Sequence, residues 1–149
     1  INKAAYCNLK SGTPSNSQLI SNRTGWIINM EEGVEGASNN LIDGKTGTDV
    51  ALNNKGFWFT VDLGESKVLT GIKTNHWASA YAPREVEILQ SENGITWKSL
   101  SSLAISGGTQ NITFISPITT RYLKYQIITI STNGRTDVTE FNVYEPKSE

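Results

Sequence analysis

The chain has 149 residues, the size of one ordinary domain, enough to remove about two-thirds of its unfolded surface from water around a single core. Thirteen Lys and Arg stand against fourteen Asp and Glu, a formal charge of −1 dispersed along the chain, which excludes the electrostatic footprint of a DNA, RNA or anionic-membrane binder. Charged residues are 18% of the chain, below the usual share of about a quarter, and Ser, Thr, Asn and Gly fill the gap, a composition common in β-rich secreted proteins and glycan binders.

Cys7 is the only cysteine, so no internal disulfide is available and the thiol reads as a small buried hydrophobe or an incidental group. There is no apolar run long enough to span a bilayer and no basic, hydrophobic leader, and Ile1 is not an initiator Met. The expectation is a mature or excised fragment.

Residues 1–24 carry Ser, Thr, Asn, Gly12 and Pro14 between short apolar pieces, which predicts an irregular lead-in or linker with one short strand around Gln18 to Ser21. Trp26, Ile27 and Ile28 begin the domain proper, over 25–149. Residues 31–56 hold five glycines and several asparagines and little strand signal; so long a loop in a compact domain needs a functional reason. Phe57, Phe59, Val61 and Leu63 then alternate with Trp58, Thr60 and Asp62, the period of a strand covered on at least one face. Gly64 breaks that strand, and Val68 to Ile72 form a second. Val86 and Ile88 alternate with Glu85 and Glu87 in a third, which turns at Glu92-Asn93-Gly94 toward Trp97. Weak strands follow near Leu100 to Ile105 and Ile112 to Ile115. After them come a strong strand, RYLKYQIITI, a loop from Ser131, and a closing strand TEFNVYE. Trp26, Trp58 and Trp97 fall at strand positions and are expected in the core. No helical periodicity exceeds a turn, and the class is all-β.

The connection NHWASAYAPR, 75–84, concentrates the chemistry. Sugars need a flat aromatic face for the C–H side of the ring and fork-like polar groups for neighbouring hydroxyls. Trp77 or Tyr81 offers the face; Arg84 offers a rigid donor fork, and His76 and Asn75 donate or accept. Trp77 has no evident core face. Each of the others has a structural alternative, such as an ordinary surface or core histidine, or Arg84 paired with Glu85 or Asp137. A second concentration is NNLIDGKTGTD, where carbonyls, Asp43 and Thr48 share a glycine-bearing turn, the mixed oxygen set a hard cation such as Ca²⁺ takes. The alternative there is an Asp-Gly turn with a solvated Glu140.

Several segments are shared with a known family: Trp58 with Val61-Asp62-Leu63-Gly64, the proline-led strand from Pro83 to Ser91, the S-x-N-G-x-x-W turn from Ser91 to Trp97, D-G-x-x-x-T from Asp43 to Thr48, and TEFNVYE at the end. Over Gly25 to Glu145 the chain resembles the discoidin family, also called the coagulation factor 5/8 type C domain, and the related family 32 carbohydrate-binding modules. The resemblance implies an antiparallel β-sandwich of the jelly-roll type, with ligand-binding loops at one end and a structural calcium. It carries the metal onto Asp43 and Glu140 by side chain, Thr48 by hydroxyl and carbonyl, and Asn40, Lys45 and Thr139 by carbonyl. It carries sugar binding onto Arg84, with Asn75, His76, Trp77 and Tyr81. The family's usual histidine falls near Asn53 and Asn54 here, and Arg135 in the loop 131–137 is expected to line the same end.

The function implied is a noncatalytic module that recognises a terminal sugar or short glycan. Its partners would be glycans or glycoconjugates, with no nucleic acid and no membrane, in a larger multidomain protein. The absence of the terminal disulfide clamp of animal members points to a bacterial-type module at an extracellular, cell-surface or periplasmic address. Phospholipid binding and protein adhesion are the alternatives among binding modules. A hydrolase with paired carboxylates is the alternative from another class; Asp43, Asp49, Asp62, Asp137 and Glu140 are available, but no G-x-S-x-G, H-E-x-x-H or phosphate-loop motif accompanies them. Asn22 and Asn111 are N-x-T positions, relevant only where the source glycosylates.

Overall fold

The computed structural model describes residues 8–148; Cys7 lies outside them. Ten strands are found among these residues: β1 Leu9–Ser11, β2 Ser17–Leu19, β3 Ile27–Met30, β4 Val50–Asn53, β5 Trp58–Asn75, β6 Glu85–Ser91, β7 Lys98–Ala104, β8 Thr109–Thr129, β9 Arg135–Val138 and β10 Glu140–Pro146. Every pairing is antiparallel.

Two long strands build both layers. The first half of β5 pairs with β3 and with the second half of β8, which continues to β6 and β7. The second half of β5 pairs with β10 and with the first half of β8, whose other edge carries β1, while β2 adds to β10. The register shifts between Asp62 and Lys67, where Gly64 sits at φ 85°, a conformation open to glycine at little cost. Asp62 holds this bend: its Oδ1 accepts the Gly64 N–H at 2.8 Å, and Arg121 donates to both its oxygens at 2.9 and 3.1 Å. Gly64 therefore bends one strand rather than dividing two. The same logic joins the weak Ile112 segment and RYLKYQIITI into one β8.

Phe57, Phe59, Val61 and Leu63 are all buried, as their alternation predicts. Phe141 of β10 meets Phe59 edge-on at 5.3 Å and Tyr125 of β8 at 6.3 Å, so its ring ties one layer to the other; Trp26 closes on it at 6.5 Å. Aromatic pairs in this geometry add to the roughly 1.5–3 kcal/mol that each buried large side chain contributes.

Three expectations are corrected here. Trp58 and Trp97 are half-buried, not core: Trp58 sits on the face opposite Phe57 and Phe59, where the Lys124 ammonium lies 4.9 Å from its ring, and Trp97 enters the edge strand β7. The lead-in holds the expected short strand, β2, which pairs Leu19 with Tyr144, but it also holds an unexpected one, β1, which pairs Leu9 with Phe114. The segments 31–56 and 131–137 are not plain loops, since β4 and β9 pair with each other from Val50↔Val138 to Asn53↔Arg135.

Candidate functional site

The β4–β9 ribbon positions the site. Side chains alternate across a strand, so Val50 and Val138 turn inward, fully buried. Arg135, Asp137 and Asn53, with Asp49 just ahead of β4, turn to the opposite face. The loop after β5 folds over that face. The Trp77 backbone N–H donates to Asp137 Oδ1 and Oδ2 at 3.1 and 3.3 Å, and Asn133 N–H donates to the Ala80 carbonyl at 3.1 Å. A short 3-10 turn, Ser79–Tyr81, swings Tyr81 back toward the ribbon. The result is an open cleft of about 210 Å³ lined by Asp49, Trp77, Tyr81, Arg135 and Asp137. Trp77 is 65% exposed and forms its apolar wall.

Asp137 is the floor, only 2% exposed. Burial pushes its carboxyl up to about 7 against the pull of the Trp77 N–H, and the neighbouring Asp49 carboxylate pushes it further. Arg135 lines the cleft with its donors already engaged: its guanidinium donates to both Glu35 oxygens at 3.2 and 3.3 Å and to Asn53 Oδ1 at 3.2 Å.

Of the residues expected to bind sugar, Trp77, Tyr81 and Arg135 come together. His76 does not join them. It is 6% exposed, and both ring nitrogens are used. Nδ1–H donates to the Asp137 carbonyl at 2.6 Å, which fixes Nε2 as acceptor for the Thr74 hydroxyl at 2.8 Å. Burial lowers its pKa to about 4, against the opposing hydrogen bond to Asp137, so the ring is neutral. Its role is to seat β9 beneath the loop. Arg84 is also displaced from the centre: its Nη2 donates to the Ser79 carbonyl at 3.2 Å, bracing the turn that carries Tyr81, and the pairings expected with Glu85 or Asp137 are not made. Asn75 lies within β5 and donates to the Thr109 hydroxyl at 3.2 Å. Asn53 orients Arg135, and Asn54, at φ 59°, donates its N–H to the Gly134 carbonyl at 2.6 Å, anchoring the β9 loop. Asp49 and Asp137 are the cleft residues that sequence reasoning left in a list of carboxylates. Their one local signal is an acid within the apolar-flanked strand TDV.

The oxygen-rich turn lies beside the cleft. Asn40 Nδ2 donates to the Asp49 carbonyl at 2.8 Å. Gly36, at φ 96°, passes so close to that carbonyl that a Cβ there would collide with it. Glu140 Oε2 accepts the Gly44 N–H at 3.0 Å, and Oε1 pairs with Arg23 at 2.9 Å. Asp43 accepts the Lys45 N–H at 2.9 Å and the Thr48 hydroxyl, and its carboxyl interacts directly with that of Glu140. The Thr139 hydroxyl is buried without a partner among the described residues. Two touching carboxylates and the Thr48 hydroxyl in contact with one of them, beside a glycine-bearing turn, make a donor set that fits a hard cation, although Arg23 already balances one charge. Among the described residues no three His, Cys, Asp or Glu converge, so the other ligands would be hydroxyl and main-chain oxygens. A larger cleft of about 410 Å³ between Ser21–Trp26 and Asn39–Gly44 has Trp26 as its aromatic, but that ring is buried and offers no stacking face.

The F5/8 type C domain model matches residues 19–141. The chain belongs to that family. A search of curated proteins finds no match. Among solved structures, an F5/8 type C domain from Bacteroides fragilis is similar at TM-score 0.76 and 19% identity, covering 91% of this chain and 100% of that one. The family 32 carbohydrate-binding module of Clostridium perfringens NanJ, solved with galactose, is similar at TM-score 0.67 and 20% identity over 92% of this chain and 99% of that one. A chitosan-binding module derived from a chitosanase/glucanase of Paenibacillus is similar at TM-score 0.65 and 24% identity over 80% and 92%. At these identities the likeness shows a shared discoidin-like β-sandwich. Two of these three neighbours are sugar-binding modules.

Proposed function

We propose that this F5/8 type C domain is a noncatalytic carbohydrate-binding module that holds a terminal sugar or short glycan in the Trp77 cleft. The observation that carries the reading is an indole 65% exposed standing over a polar floor. An indole left in water is free to cover a ligand, and a sugar supplies both a C–H face for it and hydroxyls for Asp49 and Asp137. The galactose and chitosan modules that share the fold support the ligand class. Derivation of one of them from an enzyme supports a module tethered within a larger protein, where linkage raises effective concentration.

A hydrolase reading of Asp49 and Asp137 is disfavoured. Glycosidases need carboxyls about 5 to 9.5 Å apart to straddle the bond, whereas the Asp49 carboxyl is close enough to hydrogen-bond that of Asp137 and push its pKa up. A phospholipid reading lacks a free cation among the described residues of the cleft, since Arg135 is tied to Glu35. So shallow a site binds weakly, on the order of 0.1 to 1 mM. Trp77→Ala is expected to abolish binding on a glycan array and in titration while moving the melting midpoint by no more than about 2 °C, the surface-substitution range. Unchanged binding by Trp77→Ala overturns the site.

Calcium belongs to the same proposal: Asp43, Glu140, Thr48, Asn40, Lys45 and Thr139 would hold it by carboxylate, hydroxyl and carbonyl oxygens. Bound there, it would tie the 38–48 loop, and through Asn40 the Asp49 backbone, to β10. Metal that binds the native state raises the melting temperature. A midpoint equal in millimolar Ca²⁺ and in excess chelator, from metal-free protein, removes the calcium.

A further inference from the structure

The cleft carries more acid than a neutral sugar needs. The ionisable groups that line it or bond to its lining are Glu35, Asp49, Asp137 and Arg135, three acids to one base. The base lines the cleft and its charge reaches both Asp49 and Asp137, but its donors are engaged, because Glu35 takes both arms of the Arg135 guanidinium. What faces the ligand is the Asp49 and Asp137 pair. Asp137 is 2% exposed, yet its two oxygens share a single donor, the Trp77 backbone N–H, at 3.1 and 3.3 Å. The Asp49 carboxylate is reached only by that of Asp137, with no N–H or hydroxyl donor from the described residues. Four carboxylate oxygens thus have one N–H between them, beside an exposed aromatic wall.

Two like charges held this close are costly unless a proton or a cation sits between them. Sugar hydroxyls satisfy the lone pairs but leave the charge. A sugar ammonium does both, since it brings three donors and a positive charge, and a cation at the edge of the Trp77 face gains a further attraction from the indole. An anionic sugar meets the wrong sign of charge with no free guanidinium to receive it.

We propose that the cleft selects the cationic members of the sugar class: a glucosamine-type residue whose free amino group, as ammonium, bridges Asp49 and Asp137 while its ring lies on Trp77. This rests on the cleft being the glycan site. The amino group rather than the ring hydroxyls then sets specificity, and acetylation of that amine, which removes the charge and adds bulk at the floor, abolishes the preference.

The test uses two pentasaccharides of equal length, one of glucosamine and one of N-acetylglucosamine, titrated calorimetrically into the wild type, Asp49→Asn, Asp137→Asn and Trp77→Ala. The glucosamine oligomer is expected to bind the wild type about tenfold more tightly, and either Asn variant to lose about that factor for it alone. Trp77→Ala is expected to lose both oligomers. Melting curves check that the Asn variants fold. If neither does, wild-type salt dependence decides: glucosamine binding must weaken several-fold from low to physiological salt while N-acetylglucosamine binding holds. Equal affinity for the two oligomers, with both lost in Trp77→Ala, overturns the amine preference and keeps the cleft. Glucosamine binding that survives Trp77→Ala overturns the amine site as nonspecific attraction elsewhere. No binding of any oligomer, together with none on the glycan array, overturns the module reading and this inference together.

Discussion

Two carboxylate pairs sit side by side at one end of this sandwich, and the protein treats them oppositely. Asp43 and Glu140 are furnished from within: two backbone N–H groups, a threonine hydroxyl and the Arg23 guanidinium all donate to them. Asp49 and Asp137 share one backbone N–H, and their nearest guanidinium is held by Glu35. The first pair is arranged for structure and the second for something that arrives from solution. The Asn40 amide links them through the Asp49 carbonyl, so the structured pair holds one half of the open pair in place.

The largest expected effect tests the furnished pair. Arg23 and Glu140 keep only 15% and 12% of their side-chain surface exposed, and Arg23 also donates to the Phe141 carbonyl at 2.9 Å. Arg23→Ala leaves Glu140 half-desolvated against Asp43, and chemical denaturation is expected to show a loss of about 3 kcal/mol, at the lower end for a broken buried pair. A loss under about 0.5 kcal/mol would mean that Arg23 is not part of the balance.

The open pair should answer with the opposite sign. Asp49→Asn removes a charge that repels Asp137 and is expected to stabilise the protein by on the order of 1 kcal/mol near pH 8. The sign with pH follows from Asp137, whose folded value of about 7 lies above its unfolded 3.8. The folded state binds the extra proton between those values, so this group's stability is present below about pH 4 and is lost as pH rises toward 7. The groups facing it are Asp49, Arg135, the Trp77 N–H and the neutral His76. The gain from Asp49→Asn should therefore shrink near pH 5, where Asp137 carries its proton. A destabilising Asp49→Asn at pH 8 would show the pair to be structural after all.

The smallest effect is spectroscopic. His76 is the sole histidine and is held neutral by burial, with its pKa lowered to about 4. Its ring proton resonances should not shift between pH 8 and about pH 5. As pH falls from about 6.5 toward 4 the unfolded chain takes up a proton that the folded one refuses, so this group's contribution weakens the fold over that window. A midpoint near 6.5 by NMR would place the ring in water and reopen it as a ligand.

Much of the fold is legible in local pattern. Alternation marks Phe57 to Leu63 and Val86 to Ile88, and their burial follows. The motif residues from Asp43 to TEFNVYE carry the family, which the match over 19–141 bears out. Trp77 reads as exposed because nothing around it offers a core. The tryptophans show the limit: alternation says that Trp58 and Phe59 face opposite ways, but not that only one layer covers the strand, so Trp58 ends against Lys124.

The sequence by itself determined an all-β discoidin-like domain, an aromatic connection over 75–84, and an oxygen-rich turn around Asp43. These depend on period-2 burial, turn chemistry and contiguous motifs, all of which are local. Only the tertiary structure decided that His76 faces inward, that Arg84 braces the Ser79 turn, and that Asp49 joins Asp137. Those outcomes rest on the β4–β9 register, which pairs Ala51 with Asp137 across most of the chain. A one-residue slip of either strand would send its carboxylate to the core face and part it from the other, and no feature near either residue specifies that pairing.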